Sequence, residues 1–290
     1  MKRKILYFLV VVLRFLTFFI PFRLGQKIGS FLGYLSYFVV KKYRNTAIEN
    51  IKTCFPEMKD SEVCSLTKRV FINQGKNFFE VLMFHRLNKK NVEKIVSFEG
   101  RSNLEKAFSF NKGVLILAAH FGNWELLGAS LSIFGFPINV IARRVYIEGL
   151  ERIITKIRMS KGMKVITRGE RDSSYGIVRA LHKNQAIGIL IDQNTKSVPG
   201  VYVNFFGKKA YTPSGLAVLA IKTGAVVVPG FIIRQKNDTH RIEISEPVEI
   251  IKTGEISRDI EKNTQIFNDI IESYVRKYPE QWVWFHKRWD

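Results

Sequence analysis

GVLILAAHFGNWELLGASLSIF, residues 113–134, decides the fold. Residues 113–120 form an unbroken apolar run closed by a histidine, the pattern of a short strand buried on both faces. Gly122 permits a tight turn or a close backbone approach. Asn123 suits a helix N-cap, with Glu125 in the first turn, and residues 124–134 read as a helix. The same alternation continues towards the carboxyl terminus. Strands are expected at 138–142, 164–167, 186–192 and 225–234, helices at 147–159, 174–182, 213–222 and 258–277, and an edge strand at 240–244. Alternating strands and helices build an α/β fold on a mixed, mostly parallel sheet flanked by helices. Residues 45–92 read as helical, with turns near Pro56 and Asn88. Ligands of such sheets bind beyond the carboxyl ends of the strands, and His120 stands at one of those ends.

His120 precedes the helix and Glu125 lies inside it, so the turn can fold the imidazole back onto the carboxylate. A carboxylate accepting from one ring nitrogen fixes the tautomer and frees the other nitrogen to take a proton. Amides of the helix N-terminus could support a developing anion. Acyl transfer to an alcohol needs such a base, because a hydroxyl is a poor nucleophile until its proton is removed during attack. No G-x-S-x-G elbow is present, which favours direct transfer over a covalent acyl-enzyme. Taken alone, a histidine followed five places later by an acid is also a common structural pair.

Charge is the outlier in composition: 46 Lys+Arg against 25 Asp+Glu leave a net +21. Such a surface attracts polyanions, or is simply a solvated basic face. No nucleic-acid motif accompanies the charge, and the amino terminus argues against that partner. Residues 5–20 are almost wholly apolar, broken by Arg14 and preceded by Lys2, Arg3 and Lys4. Pro21, Phe22 and Arg23 follow where a cleavage site would need small residues. The run is shorter than the roughly 20 residues of a spanning helix. Ile28, Phe31, Leu32, Leu35, Phe38 and Val39 then recur at helical spacing, closed by Lys41, Lys42 and Arg44. Residues 1–43 are therefore expected to be hydrophobic anchor helices on an anionic membrane, spanning or interfacial, and a pair of buried core helices is the alternative. Residues 44–290 are expected to form the α/β domain. Cys54 and Cys64 give no disulfide framework and no zinc pattern.

At these residues the sequence resembles the bacterial lipid A biosynthesis acyltransferases, the late lauroyl/myristoyl family within the lysophospholipid acyltransferase-like superfamily. The likeness runs through most of the chain. RNTAIENIKTCFPEM (44–58), AAHFGNWE (118–125), IARR (141–144), LIDQN (190–194), VNFFGKKAYTPSG (203–215) and PEQWVWFHKRW (279–289) match family blocks in the family's order. The resemblance implies a glycerolipid acyltransferase-like fold, an acyl carrier protein thioester as donor, and a phosphorylated lipid A precursor as acceptor. The setting would be the cytoplasmic face of the inner membrane. His120 would be the base and Glu125 its partner, with neither metal nor bound cofactor expected. Relatives acylating phosphatidylinositol mannosides use similar motifs. A non-catalytic membrane-binding protein is the alternative of another class.

Arg143, Arg144 and Arg158 could clamp phosphates or an oxyanion, since the guanidinium fork fits phosphate, or they are ordinary surface arginines. Asp192 could position the acceptor, pair with an arginine, or cap a turn. Trp282, Trp284 and Trp289 could form an interfacial belt or pack under the sheet. His286 reads as structural, and His85, His182 and His240 lack an acid at matching spacing.

Overall fold

The computed structural model describes residues 2–169 and 172–289. Four helices come first: α1 (Lys2–Leu16), α2 (Phe22–Val39), α3 (Lys41–Cys54) and α4 (Asp60–Leu82). The alternating part follows as β1 (Val96–Glu99), α5 (Arg101–Ser109), β2 (Val114–Ala118), α6 (Trp124–Ile133), β3 (Ile138–Ala142), α7 (Glu148–Met159), β4 (Lys164–Thr167), α8 (Ser173–His182) and β5 (Ala186–Leu190). A hairpin, β6 (Gly200–Phe205) and β7 (Lys208–Pro213), precedes α9 (Gly215–Thr223), β8 (Val226–Arg234), β9 (His240–Ile244) and α10 (Ile256–Lys277).

Among the described residues, seven strands form one sheet in the order β1-β9-β8-β2-β5-β3-β4. The five from β8 to β4 are mutually parallel, and only β9 turns antiparallel to its neighbour β8. β2 lies near the middle and is buried along its whole length. Its residues alternate between two cores: Leu115, Leu117 and Ala119 face one side, Val114, Ile116 and Ala118 the other. Period-two alternation with both sets apolar is what a strand covered on both faces requires.

Residues 240–244, expected as an edge strand, are interior. β1 covers their free side with a parallel register from Val96–His240 to Glu99–Glu243. Four residues, VSFE, are too short to show a period. The hairpin β6–β7 is not among the strands expected from the sequence.

The amino-terminal helices depart from the spanning form of the expectation. No helix among the described residues is long and apolar enough to cross a membrane. The apolar run breaks after Leu16, and Pro21 restarts the chain as α2. A spanning anchor is therefore not supported. The helical spacing read in 28–39 is right, but that face points outwards: Phe31 is 60% exposed and Val39 78%. The buried face of α2 carries Gly25, Gly29, Gly33 and Tyr37 and lies on α4. Glycines four apart let two helix backbones touch. A Cβ at Gly29 would lie 2.5 Å from the carbonyl oxygen of Gly75 on α4. Because the obstacle is backbone, Gly29→Val is expected to cost about 3 kcal/mol, the upper end for overpacking. Denaturant titration of the purified variant checks this.

Candidate active site

Four parallel strands end at one place. The chain leaves β2 at His120, β5 at Asp192, β3 at Arg143 and β4 at Arg168. All but Asp192 line a cavity of about 1000 Å³, and Asp192 sits directly behind His120. The register pairs Ala118 with Leu190, so His120 and Asp192 each stand two residues beyond the same rung.

Asp192 is 1% exposed and holds His120 twice. Its Oδ1 lies 2.9 Å from His120 Nδ1, and its Oδ2 accepts from the His120 backbone N–H at 3.0 Å. Trp282 Nε1 donates to the same Oδ2 at 2.8 Å. Burial alone would raise the Asp192 carboxyl. The charge of protonated His120 and the hydrogen bonds from His120 and Trp282 outweigh it, so its pKa lies below the usual carboxylate value. An ionised Asp192 requires a proton on Nδ1 and leaves Nε2 as the basic nitrogen. Trp124 packs edge-on against the imidazole, centroids 5.2 Å apart.

The turn that carries His120 is clamped by the carboxyl-terminal segment. The Gly122 N–H donates to the Gln281 carbonyl at 2.9 Å, and the Val283 N–H to the His120 carbonyl at 3.0 Å. Gly122 sits at φ 55°, and a Cβ there would collide with the Ile232 carbonyl, so glycine is required. Asn123 is the expected N-cap: its Oδ1 accepts from Leu126 N at 3.1 Å.

Glu125 is not the residue bonded to His120. It is held by Arg158 in a two-point pair, Nε to Oε2 at 2.9 Å and Nη2 to Oε1 at 2.5 Å. Both side chains are 13% exposed, and both line the cavity. Burial opposes the Arg158 charge, but the bonds and charge of Glu125, with Glu151 beyond, raise its pKa. The expected His120–Glu125 pairing is thus corrected: Glu125 points into α7's arginine, and a carboxylate 72 residues away takes its place. Arg143 lines the cavity; Arg144 is exposed and does not. Trp282 and Trp284 are buried, so they pack under the sheet and form no belt. His286 meets the Asn194 carbonyl at 3.0 Å through Nε2. Sequence reasoning missed Arg168 as a cavity residue and Trp282 as a donor to Asp192. Arg168 follows a strand end, which was the available signal.

A second cavity of about 360 Å³ opens beside the first. Its walls are mostly apolar, with Val10 of α1, Phe78 and Val81 of α4, and Leu150, Ile153 and Ile157 of α7, and Gln74, Asn77, Asn123 and Glu125 add polar groups. Trp124 and Glu125 line both cavities. A larger chamber that carries Arg143, Arg158 and Arg168 among apolar walls and a smaller, mostly apolar one meet beside a histidine with an ionised partner.

Known proteins give this arrangement its context. A family model described as bacterial lipid A biosynthesis acyltransferase matches residues 1–290. A lipid A biosynthesis acyltransferase of Haemophilus influenzae is 27% identical over 92% of this chain and 81% of its own length. The lipid A biosynthesis palmitoleoyltransferase of Escherichia coli is 26% identical over 93% and 86%. A phosphatidylinositol mannoside acyltransferase of Mycolicibacterium smegmatis is 28% identical over 64% and 60%. With a match that runs from end to end, the chain belongs to the bacterial lipid A biosynthesis acyltransferase family and is an acyltransferase.

Proposed function

We propose that the protein transfers a fatty acyl group from an acyl carrier protein thioester to a hydroxyl of a phosphorylated lipid A precursor. The observation that carries this is the meeting of the two cavities at Trp124–Glu125, within reach of His120. The apolar chamber takes the acyl chain, and the arginine-bearing chamber takes the acceptor headgroup. The acceptor hydroxyl donates to His120 Nε2, and its oxygen attacks the thioester carbonyl as the proton moves to the ring. Asp192 stabilises the imidazolium that forms. The tetrahedral intermediate expels the thiolate, which takes the proton back from His120. No covalent acyl-enzyme is required. Arg158, with Nε and Nη2 committed to Glu125, keeps Nη1 to donate to substrate, and Arg143 adds charge on the acceptor side.

The test is a competition. Purified protein receives one acyl carrier protein thioester and an equimolar mixture of lipid A precursor, lysophospholipid and phosphatidylinositol mannoside. Acylation of the lipid A precursor in preference to the others is expected. The partial likeness to the mannoside enzyme motivates a second reading, and preferential acylation of the mannoside would establish it instead.

We further propose that α1 and α2 lie in the interface of an anionic bilayer without crossing it. Ile5, Phe8, Phe15, Phe19, Phe31 and Phe38 are exposed, as are Arg23, Lys27 and Lys41, with Arg14 half-buried. Exposed aromatics flanked by basic residues suit an interfacial helix. The apolar chamber is walled on this side by Val10. Replacing Phe31 and Phe38 by Ser is expected to weaken binding to anionic vesicles at least about tenfold, given roughly 1.5–3 kcal/mol per buried aromatic. Flotation with vesicles checks this, and unchanged binding would contradict it.

A further inference from the structure

The turn between β2 and α6 is held from beneath by a buried carboxylate that touches no cavity. Glu80 of α4 is 0% exposed. Its Oε2 accepts from Asn123 Nδ2 at 2.8 Å and from Arg234 Nη2 at 2.9 Å. Its Oε1 accepts from Arg234 Nη1 at 2.6 Å and Gln26 Nε2 at 2.7 Å, and lies 3.2 Å from His240 Nε2. Asn77, one turn earlier on α4, donates to the Gly122 carbonyl at 2.7 Å and accepts from Arg234 Nη2 at 2.7 Å.

Burying this cluster is not a route to stability, since apolar residues of similar volume serve as well or better. Its bonds instead converge on Gly122 and Asn123, the two residues that set the direction in which α6 leaves β2. Asn123 works at both ends: Oδ1 caps α6, and Nδ2 ties the cap to Glu80. A cap alone would leave the turn free to tilt with α6. A cap bonded to a fixed carboxylate places Trp124 against His120 and Glu125 against Arg158. Gln26 brings the outward-facing helix α2 onto the same carboxylate.

We infer that Glu80 is a positioning residue for acyl transfer, acting through Asn123 to hold the α6 end of the site in register with His120. This rests on the function proposed above. The group does not touch substrate, so its effect falls on turnover and not on binding.

Glu80→Gln removes the partner of a buried Arg234 and can fail to fold for that reason alone. Asn123→Ser avoids this: serine caps a helix as asparagine does, but has no amide to reach Glu80. The full-length protein is assayed with acyl carrier protein thioester and lipid A precursor. Asn123→Ser is expected to stay folded, with an unfolding midpoint lowered by the one lost bond to Glu80. It is expected to keep the acceptor KM while kcat falls about 10- to 100-fold, the effect of a displacement near 1 Å. Asn123 also borders the smaller cavity, so the donor KM is not the readout. Where Glu80→Gln folds, combining it with Asn123→Ser lowers kcat no further than the more damaging single change, because both cut one link. Wild-type kcat in folded Asn123→Ser, or a loss confined to the acceptor KM, overturns the inference while leaving the functional reading intact. A wild-type protein that acylates no lipid acceptor overturns the functional reading, and this inference with it.

Discussion

Asp192→Asn is expected to lower kcat by about 10³-fold, within the range for disabling a general base, with the fold retained. The substitution keeps volume but changes what the position can accept. Asp192 takes three hydrogen bonds, from the His120 backbone, the Trp282 indole and the His120 ring. An asparagine has one oxygen to offer and an amide that must donate. With Trp282 and the backbone N–H bonding the oxygen side, the amide faces Nδ1 and drives the imidazole proton to Nε2. The nitrogen that should take the acceptor's proton is then occupied. Glu125→Gln is the control, since Glu125 bonds Arg158 and not His120. Steady-state kinetics of the two variants, with circular dichroism for folding, separates them. A larger loss of kcat in Glu125→Gln than in Asp192→Asn would contradict Asp192 as the partner that orients His120.

The second large effect is expected at Arg158. Arg158→Met leaves Glu125 as an unpaired carboxylate in a site where it is 13% exposed. Removing one member of such a pair costs about 3 kcal/mol, because the remaining charge loses its partner in a poorly solvated place. Adding Glu125→Gln removes that charge and is expected to recover most of the stability. Activity follows a different rule. If Arg158 Nη1 binds the acceptor, KM for the lipid rises about tenfold or more in both the single and the double variant, one lost charged hydrogen bond being worth about 1.5–3 kcal/mol. Thermal unfolding and lipid KM are measured on the same preparations. Activity that returns together with stability would reduce Arg158 to a structural partner of Glu125.

The contrast between His120 and Asp192 shows what a single chain discloses. His120 was legible because everything that marks it is local: an apolar run, a histidine at its end, a glycine, a cap. Its partner was not, because Glu125 is near in sequence and Asp192 near only in space. The deciding fact is the adjacency of β2 and β5 with Ala118 opposite Leu190. Asp192 carried a real signal, an acid just past a buried strand, yet a linear reading cannot order parallel strands. The same limit hid β1, whose four residues make β9 interior.

The amino terminus left spanning and interfacial forms open for another reason. Helical spacing over 28–39 locates a face but not its direction. Globular helices turn an apolar stripe inwards, whereas α2 buries Gly25, Gly29 and Gly33 instead. That glycine series at every fourth position was in the sequence and was the informative mark. The tryptophans near the carboxyl end were ambiguous on composition; Trp282 resolves them by donating to Asp192 from a buried position.

The most direct test of the central claim is a mass measurement on the lipid product. Wild type and His120→Ala are incubated side by side with an acyl carrier protein thioester and a lipid A precursor. The account predicts that wild type adds one acyl group to the precursor and that folded His120→Ala adds none in the same time. Equal acylation by the His120→Ala protein, or no acyl transfer by wild type from thioesters of any chain length, would contradict it.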